Sequence, residues 1–517
     1  MVVTTPCPVG GPGCPYDDDL RSSPGACVRL CAPAARQTAT RGSLMADEAD
    51  RPSLTERLGS GACADVVQAH FPAHQGRLTS VAGLCAEHLP RDVPYLRRST
   101  LRDAEDRLAD QLGVRASLLL TNGASQGLLA ACLALGRRTR RVAVAGDCHV
   151  AVSRGLVLAD LAPEPIPSRR ASPSSGEVLN FLAGDPPPAM ILPAPTYRGE
   201  RLDLAAIAER CLALGVDLVV DEVHGSQLRG LPSGPGSTAT SALDLPCTLV
   251  VHSAHKYAGA LVQGAVLHVP QGSRLDPDHV RDALDLIDTT SRSNLIQASV
   301  EAALHAGLPG GALHDAMLAL TERVANLAAE LDAAADPALW RDPACADPRK
   351  LVLRSDNTDG FDLARRLLAA GLDHEYANVD EVLLVFSPAH EEADFARAAD
   401  ALHSVRAALS DLPQSRAPAL LAMPERRFAT RPRAAWLAGG ETLPLAAALG
   451  RTARAPVASE TPDLDGLSAP DPERPDPRLP PGTATLLPGE VIGDWHLRTL
   501  GAQRLVSVVD DAAEAGA

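Results

Sequence analysis

The sequence predicts an α/β protein built on a mainly parallel sheet with helices on both faces. Two observations carry this prediction. Short apolar runs that suit buried strands alternate with segments whose apolar residues recur at helical spacing, from about residue 99 to residue 269. The runs are apolar enough for strands covered on both faces, which is typical of parallel sheets. A chain of 517 residues is long enough to bury a large core.

The first half of the chain supplies these strands and helices in alternation. Strands are predicted at 116–123, 141–147, 189–195, 216–223, 247–255 and 264–269. Helices are predicted at 99–113, 125–136, 151–160 and 203–215. In such sheets ligands bind at the carboxyl ends of the strands, so polar residues there are candidates for a site. Those residues are Asn122, Asp147, Asp221, His224 and His255.

The pattern changes after about residue 310. A long amphipathic helix is predicted at 312–334, and a strand–helix–strand–helix series follows it. We therefore expect a large domain over 51–310, a small α/β domain over 311–412 and a C-terminal domain over 413–517. Within the last of these, the Pro- and Asp-rich stretch 459–480 is too polar to pack and is expected to be disordered.

The N-terminal stretch is rich in Pro, Gly and Cys and is expected to be a disordered extension over residues 1–50. The sequence that begins at Met45 is more typical of the start of a protein. We therefore expect that residues 1–44 are disordered, or that translation begins at Met45 and they are not part of the protein. No metal site is expected, because the four cysteines of this stretch form no Cys-x-x-Cys pair. Those cysteines are Cys7, Cys14, Cys27 and Cys31.

Composition excludes several classes of function. The net charge of −16 argues against a nucleic-acid binder held by backbone phosphates. No uninterrupted apolar run reaches about 18 residues, so no membrane span is predicted. The other cysteines are scattered singly, which suits a reducing cytosol, and we expect a cytoplasmic protein.

Lysine is almost absent from the chain: 2 of the 48 basic residues, Lys256 and Lys350, are lysines. A neutral lysine amine can form a Schiff base with an aldehyde, whereas an arginine guanidinium stays protonated. Lys256 lies between two predicted strands and close to the small residues Ala254 and Ala258, which is not typical of a solvated face. We therefore predict amine chemistry for Lys256. Lys350, in the loop sequence DPRK, is expected to be an ordinary surface lysine.

The segment VVDEVHGS (219–226) places Asp221 at the end of a predicted buried strand. A carboxylate there is costly unless it is paired, so Asp221 is a candidate partner for a buried cation. The letters DEVH also resemble the DExH box of nucleotide-driven helicases. That function needs a GxxxxGK[ST] phosphate loop, which neither lysine has. The histidines nearby lack the HExxH spacing, so no zinc site is predicted.

The segment TNGASQG (121–127) predicts a tight turn at Gly123 and a helix that starts at Ser125. The N–H groups at a helix start can hold a phosphate, although an ordinary capped helix would look the same. His149, in GDCHV, lies just past another strand, where its flat ring could cover a flat cofactor. A structural histidine is the alternative for this position.

Together these parts match one cofactor. A lysine amine, a carboxylate for a pyridinium nitrogen and a phosphate site at a helix start are the requirements of pyridoxal 5′-phosphate. Asp221 would keep the ring nitrogen protonated, so that the ring could accept the electrons of a substrate carbanion. The sequence therefore predicts a site for this cofactor at the carboxyl edge of the sheet.

The same motifs, in the same order, resemble those of the Orn/Lys/Arg decarboxylase family. The resemblance covers about residues 53–500. It implies fold type I of the pyridoxal-phosphate enzymes, with a seven-stranded sheet and a C-terminal domain of the family's own type. The segments that carry it are SAHKYAGALVQGAVLHV, VVDEVHGSQL, TNGASQGLLAACLALGR, DCHVAVSRGLVLA, TLPLAAALGRTARAPVA and LPPGTATLLPGEVI.

The resemblance also implies roles for individual residues. Lys256 would carry the cofactor as a Schiff base, Asp221 would pair with the pyridine nitrogen and His149 would stack on the ring. His255 or Lys256 would return a proton to the substrate carbon. The remaining implied contacts are Ala124 (through its N–H), Ser125, Ser253 and His255 around the phosphate, and His224 near the ring face.

By resemblance, the reaction is decarboxylation of a basic amino acid, which is arginine, lysine or ornithine, to its amine and CO₂. The chain is similar to the short, biosynthetic-type members of the family. Such members are homodimers or larger assemblies with active sites at the subunit interface. Arginine is favoured among the three substrates on the resemblance to short members only.

Four positions depart from the family pattern and leave the substrate and the reaction open. Ala73 and Gln75 stand where a glycine and a lysine are usual, and Arg292 and Asn294 where a proline and an aromatic residue are usual. Arg292 could bind a carboxylate that a decarboxylase would release. An aminotransferase, or a tailoring enzyme of a natural-product pathway, is therefore an alternative. A non-catalytic protein that kept the fold is a third, and the retention of both cofactor residues argues against it.

Overall fold

The computed structural model describes residues 67–69, 98–168, 170–231, 240–414, 426–458, 483–493, 495–496 and 504–509. All of them belong to the compact unit Ala64–Ala517. The predicted N-terminal extension, the departures at Ala73 and Gln75 and the loop predicted at 459–480 lie outside the described residues. The predicted boundaries near residues 310 and 412 stay predictions.

A seven-stranded sheet forms the centre of this unit, and one short strand, β1 (Val67–Ala69), precedes it in the chain. The sheet has the spatial order β2-β8-β7-β6-β5-β3-β4. Strand β8 is antiparallel to both of its neighbours, and the other six strands share one direction. The predicted α/β fold with a mainly parallel sheet is confirmed. The strands are β2 (Ala116–Leu120), β3 (Arg141–Val144), β4 (Ala162–Pro165), β5 (Ala189–Pro193), β6 (Asp217–Asp221), β7 (Leu249–Ser253) and β8 (Ala265–Val269).

Helices cover both faces of the sheet, because alternate residues of each strand point to opposite sides. In β6, Val219 packs into the hydrophobic cluster that includes helices α2 and α3, whereas Leu218 and Val220 pack with α4 and α5. The helices of this region are α1 (Arg98–Leu112), α2 (Gly123–Gly136), α3 (Val150–Ala159), α4 (Ser175–Leu182), α5 (Leu204–Leu214), α6 (Pro277–Asp285) and α7 (Asn294–Ala306). Strand β4 and helices α4, α6 and α7 were not predicted, and α2 starts at Gly123 rather than at Ser125.

A second, four-stranded antiparallel sheet follows the central one along the chain, in the order β12-β13-β10-β9. The helix predicted at 312–334 is confirmed as α8 (Ala312–Ala334). Strand β1 pairs in parallel with β11. The other elements here are β9 (Trp340–Arg341), β10 (Lys350–Arg354), α9 (Gly360–Ala369), β11 (Leu372–His374), β12 (Tyr376–Ala377), β13 (Val382–Val385) and α10 (Glu392–Ser410).

The C-terminal segment forms two small two-stranded sheets and packs on the central sheet. The Ala484 N–H donates to the Cys148 carbonyl at 2.9 Å, which holds this segment beside the loop after β3. Among the helices that the structure describes, none is both long and apolar enough to cross a bilayer. The elements are α11 (Pro432–Leu437), β14 (Gly440–Pro444) with β17 (Leu505–Val509), and β15 (Val457–Ala458) with β16 (Ala484–Leu486).

Candidate functional site

A cavity of about 250 Å³ lies at the carboxyl edge of the central sheet. Segments that follow β2, β3, β5, β6 and β7 line it, as expected for a sheet of mainly parallel strands. The structure brings all the predicted site residues to this one cavity, while their individual roles stay predictions. They are Ala124, Ser125, His149, Asp221, His224, Ser253, His255 and Lys256.

The two aspartates of β6 lie in contrasting surroundings at opposite ends of the strand. Asp217, at the amino end, accepts hydrogen bonds from Arg138 at 2.9 Å and from Arg274 at 2.7 Å. Asp221, at the carboxyl end, is 9% exposed, and the Val223 N–H donates to its Oδ1 at 3.3 Å. Burial raises the pKa of Asp221 to about 6. A buried carboxyl group beside a cavity, with no salt bridge to any described residue, suits a ligand that brings a cation or an N–H donor.

Lys256 follows β7, and its amine lines the cavity. Its Nζ lies 2.9 Å from Nε2 of His224 and 5.7 Å from the centre of the Tyr197 ring. Burial lowers the pKa of the Lys256 amine, while the carboxylates of Glu375 and Asp221 oppose that shift. A lowered pKa increases the neutral fraction of the amine, which is the form that attacks an aldehyde.

His224 is buried between the lysine and a tyrosine. Its ring centre lies 4.9 Å from that of Tyr197 in an edge-on arrangement. Burial, followed by the positive charges of Lys256 and Lys350, holds the pKa of His224 well below its usual value. The imidazole is therefore neutral near pH 7. The Tyr197 hydroxyl in turn donates to Glu375.

The start of α2 forms one end of the cavity. Gly123 has a φ of +74°, a left-handed conformation that favours glycine, and it turns the chain from β2 into the helix. The first-turn N–H groups of Ala124 and Ser125 have no acceptor within the helix, and the helix dipole favours an anion beside them. Ser253 Oγ and His255 Nδ1, 3.2 Å apart, line the same cavity. This end suits a phosphate.

His149 immediately precedes α3 and caps it. Its Nδ1 accepts the Ala151 N–H at 3.1 Å, so the proton of the neutral ring lies on Nε2. Burial lowers the pKa of His149 to about 4, which keeps the ring uncharged near pH 7. Thr483, from the C-terminal segment, forms an isolated β-bridge with His149 and also lines the cavity. No sequence pattern singled out Thr483, because this residue reaches the site only through tertiary packing.

The expectation that Lys350 is a surface lysine is wrong. Lys350 is the first residue of β10 and is 2% exposed. Its Nζ donates to the Tyr197 carbonyl at 2.9 Å and lies 3.3 Å from Nδ1 of His224. Burial lowers the pKa of Lys350 to about 8. The polar sequence DPRK is typical of an exposed turn, but β10 docks against the loop after β6 and encloses the side chain.

Two further side chains extend the site beyond the predicted set. Tyr197 follows β5 in the segment PAPTYRG, and its position after a strand end was the available signal. Asp147 was noted only as a polar residue at a strand end, and it lines the cavity. The Ser172 hydroxyl donates to its Oδ2 at 2.5 Å, whereas Oδ1 has no hydrogen-bond partner among the described residues. Burial raises the pKa of Asp147 to about 7.

Arg292, a candidate for binding a substrate carboxylate, is not among the residues that line the cavity. Its guanidinium pairs with Asp285 at 3.0 Å and with Asp288 at 2.5 Å. These two carboxylates neutralise it within the described part of the chain. The arrangement gives no support to the alternative that was based on this arginine.

Comparisons with known proteins show what this chain is similar to. The chain is 24% identical over 425 residues to the arginine decarboxylase of Bacillus subtilis (strain 168), a match that covers 79% of this chain and 82% of that protein. It is 28% identical over 324 residues to the uncharacterized protein YaaO of the same strain. That match covers 60% of this chain and 64% of YaaO, which is less than two thirds of the length of YaaO.

The fold is shared with a solved structure, lysine decarboxylase A from Pseudomonas aeruginosa. The TM-score is 0.62 at 16% identity, and the likeness covers 88% of this chain and 80% of that one. The profile of the Orn/Lys/Arg decarboxylase major domain matches residues 65–363, which is more than half of the 517 residues and includes the turn at Gly123, Asp221 and Lys256. This chain belongs to the Orn/Lys/Arg decarboxylase family.

Proposed function

We propose that the protein is a pyridoxal-phosphate-dependent decarboxylase of a basic amino acid. One observation carries this proposal: the Lys256 amine, the buried Asp221 carboxyl group and the start of α2 line the same cavity. These features match the three reactive or charged parts of the cofactor, which are its aldehyde, its ring nitrogen and its phosphate. The raised pKa of Asp221 supports the fit, because burial of this carboxyl group outweighs the opposing charge of Lys256 and a cationic ring nitrogen would relieve the cost of its charge.

Bound pyridoxal phosphate supplies an aldehyde for a lysine amine and a protonated ring that accepts the electron pair left when CO₂ departs. Asp221 would hold the proton on the ring nitrogen, and the resulting ion pair would keep its carboxylate charged. The neutral imidazole of His149 would cover one face of the ring. The first turn of α2 and Ser253 would hold the phosphate, and so fix where the aldehyde meets Lys256.

Two residues that follow β7, Lys256 and His255, are the candidates for returning a proton to the substrate carbon. With its amine free, Lys256 Nζ would be able to move a proton locally as a base or an acid. His255 is the second candidate. Its Nδ1 lies 3.1 Å from the Gly264 carbonyl, which can only accept, so Nδ1 donates and fixes the orientation of the ring.

A cationic substrate is consistent with the charges at the site. Asp147 lines the cavity and has a carboxyl oxygen without a hydrogen-bond partner among the described residues. The net charge of −16 favours the approach of a cation in general. Among arginine, lysine and ornithine we place arginine first, because the family resemblance is to its short members and a relative matched over most of its length is named an arginine decarboxylase.

The family resemblance also leads us to propose a homodimer or a larger homo-oligomer with active sites at the interface. Light scattering coupled to size exclusion would test this directly. We expect a mass of at least twice the chain mass of 53.9 kDa. A monomer at micromolar concentration would contradict the proposed assembly.

The decisive experiment is CO₂ release by purified protein with pyridoxal phosphate and each of the three amino acids. We expect release from at least one of them, and none from Lys256→Ala protein under the same conditions. If no amino acid releases CO₂, the proposed reaction is wrong. Keto-acid formation without CO₂ would favour an aminotransferase instead.

A further inference from the structure

Both lysines of this chain contact the same imidazole ring. Lys256 Nζ lies 2.9 Å from Nε2 of His224, and Lys350 Nζ lies 3.3 Å from Nδ1 of the same ring. The two side chains come from different parts of the fold, since Lys256 follows β7 of the central sheet and Lys350 begins β10 of the second sheet. A chain with 48 basic residues therefore places its only two lysines on either side of one histidine.

The neighbours of Lys350 stabilise the ammonium form of its side chain. Its Nζ donates to the Tyr197 carbonyl at 2.9 Å and lies 3.8 Å from Oδ2 of Asp347. The same aspartate also pairs with the buried Arg349 at 2.8 Å, and Arg349 donates to the His224 carbonyl at 2.6 Å. The segment 347–350 therefore fixes His224 through both its backbone and its ring.

Proton counting links the charges of the two lysines. A neutral imidazole has one N–H donor and one acceptor nitrogen. When the Lys350 ammonium donates to Nδ1, the ring proton must lie on Nε2. Nε2 then donates to the lone pair of Lys256 Nζ, which has to be a neutral amine. The converse arrangement, with Lys256 charged, requires Lys350 to be neutral or to turn away from the ring.

We propose that Lys350 is a positioning residue that acts through His224 to hold Lys256 as a neutral amine. The inference rests on the proposed function, in which Lys256 attaches the cofactor. It also provides a proton route. When Lys256 takes up a proton, His224 gives one from Nε2 and receives one at Nδ1 from Lys350, so one proton leaves Lys350 and one arrives at Lys256.

This role explains why position 350 is a lysine in a chain that otherwise uses arginine. A guanidinium stays protonated in proteins and could not complete the proton route. A like charge on Lys350 also disfavours a charge on Lys256. Among the described residues, the other titratable or charged groups that face the two amines from the packed elements include Tyr197, Asp221, His149, His224, Glu375, Asp347, Arg349 and Cys345.

The low lysine count makes a direct test possible. In full-length, cofactor-free protein labelled at lysine ¹³Cε, NMR should show only two lysine signals, and their titration gives both pKa values. In the wild-type protein we expect coupled curves, with each signal shifting as the other lysine titrates. In Lys350→Met protein the pKa of Lys256 should rise by about 1 or more, because a positive charge and a fixed tautomer have been removed.

Control variants separate this role from a purely structural one. Lys350→Arg protein keeps the charge and should leave the pKa of Lys256 low. Arg274→Met protein loses a cation that pairs with Asp217 at the opposite edge of the same sheet, and it should leave both lysine curves unchanged. Independent lysine curves in the wild-type protein, or an unchanged Lys256 pKa in folded Lys350→Met protein, would overturn the proposal.

A second readout uses the cofactor itself. The rate at which added pyridoxal phosphate attaches to Lys256, followed by absorbance, should depend on pH through the neutral amine. Its midpoint should move upward by about 1 in Lys350→Met protein. A lower rate with the same midpoint would indicate a structural role only and would count against the proposal. If wild-type protein takes up no cofactor, the proposed function fails, while the coupled NMR titration still decides the role of Lys350.

Discussion

Replacing Asp221 by asparagine should stabilise the cofactor-free protein. The carboxyl group has an ordinary pKa of 3.8, which burial raises to about 6 in the folded chain. Between these values the folded chain keeps a proton that the unfolded chain has released. The contribution of this carboxyl group to the free energy of unfolding is therefore fully present below about pH 4. It is lost as the pH rises through about 6. A shift of this size corresponds to about 3 kcal/mol above pH 7, at about 1.36 kcal/mol per pH unit.

The pH dependence is the sharper part of this prediction. At pH 5 only about half of the penalty is present, and at pH 8 all of it is, about 3 kcal/mol. The stability of Asp221→Asn protein relative to wild type should thus increase by about 1 kcal/mol between pH 5 and pH 8. Loss of packing or of a hydrogen bond would add a constant term at both pH values and would leave this difference unchanged.

Urea denaturation of cofactor-free protein, followed by circular dichroism at both pH values, measures this difference. Asp217→Asn is the matched control, because it removes the other aspartate of the same strand but breaks two arginine pairs. That variant should be less stable than wild type at pH 8. Saturating pyridoxal phosphate should stabilise wild type more than Asp221→Asn protein, because the variant lacks the charged partner of the ring nitrogen. A stability difference that stays constant or shrinks from pH 5 to pH 8 would refute the reasoning.

Four other substitutions test separate parts of the site and the fold. After borohydride treatment with pyridoxal phosphate, wild-type protein should carry the cofactor mass on Lys256, and Lys256→Ala protein should carry none; label on a different residue would contradict the assignment. His149→Ala protein should bind the cofactor about 2- to 10-fold more weakly, measured by fluorescence titration, as expected for the loss of one stacking contact. Ser125→Ala protein should lose about 10-fold in affinity for pyridoxal phosphate but far less for pyridoxal, because the lost hydrogen bond is to the phosphate. The Arg281 guanidinium lies 2.7 Å from the buried Glu105 carboxylate. Arg281→Met protein should therefore lose about 3 kcal/mol of stability, because the carboxylate is left without this cation. Equal urea midpoints for the variant and the wild type would count against this prediction.

The central sheet could be predicted wherever a strand is buried on both faces, because such strands are continuous apolar runs. Strand β4 (Ala162–Pro165) escaped prediction because it contains two prolines in four residues. It is one of the two edge strands of the sheet, and a missing N–H is tolerated at an edge. Helix α4 escaped although its start was readable: Ser174 and Glu177 form a capping box. In both cases the local sequence held the information, but it was weaker than the surrounding turn residues.

The residues of the candidate site that lie at strand ends could be predicted from the sequence. The residues that pack behind them from other parts of the fold could not. Asp221 and Lys256 each follow or end an apolar strand, so sequence position alone places them at one edge of the sheet. Lys350 comes from a different sheet, and its burial depends on tertiary docking that no local pattern records. The scarcity of lysine applied to Lys350 as strongly as to Lys256. The polar local sequence DPRK nevertheless led to the wrong prediction that Lys350 lies on the surface.

The enclosure of both lysines has a consequence for chemical and enzymatic modification of this protein. Lys350 is buried and Lys256 lines the cavity, so no lysine side chain is displayed on the outer surface. Acetyl, succinyl or ubiquitin groups carried by lysine could therefore attach to this protein only at Lys256 or Lys350, in or beside the cavity. Acylation of either lysine would change the cavity itself, and acylation of Lys256 would remove the amine that is proposed to attach the cofactor.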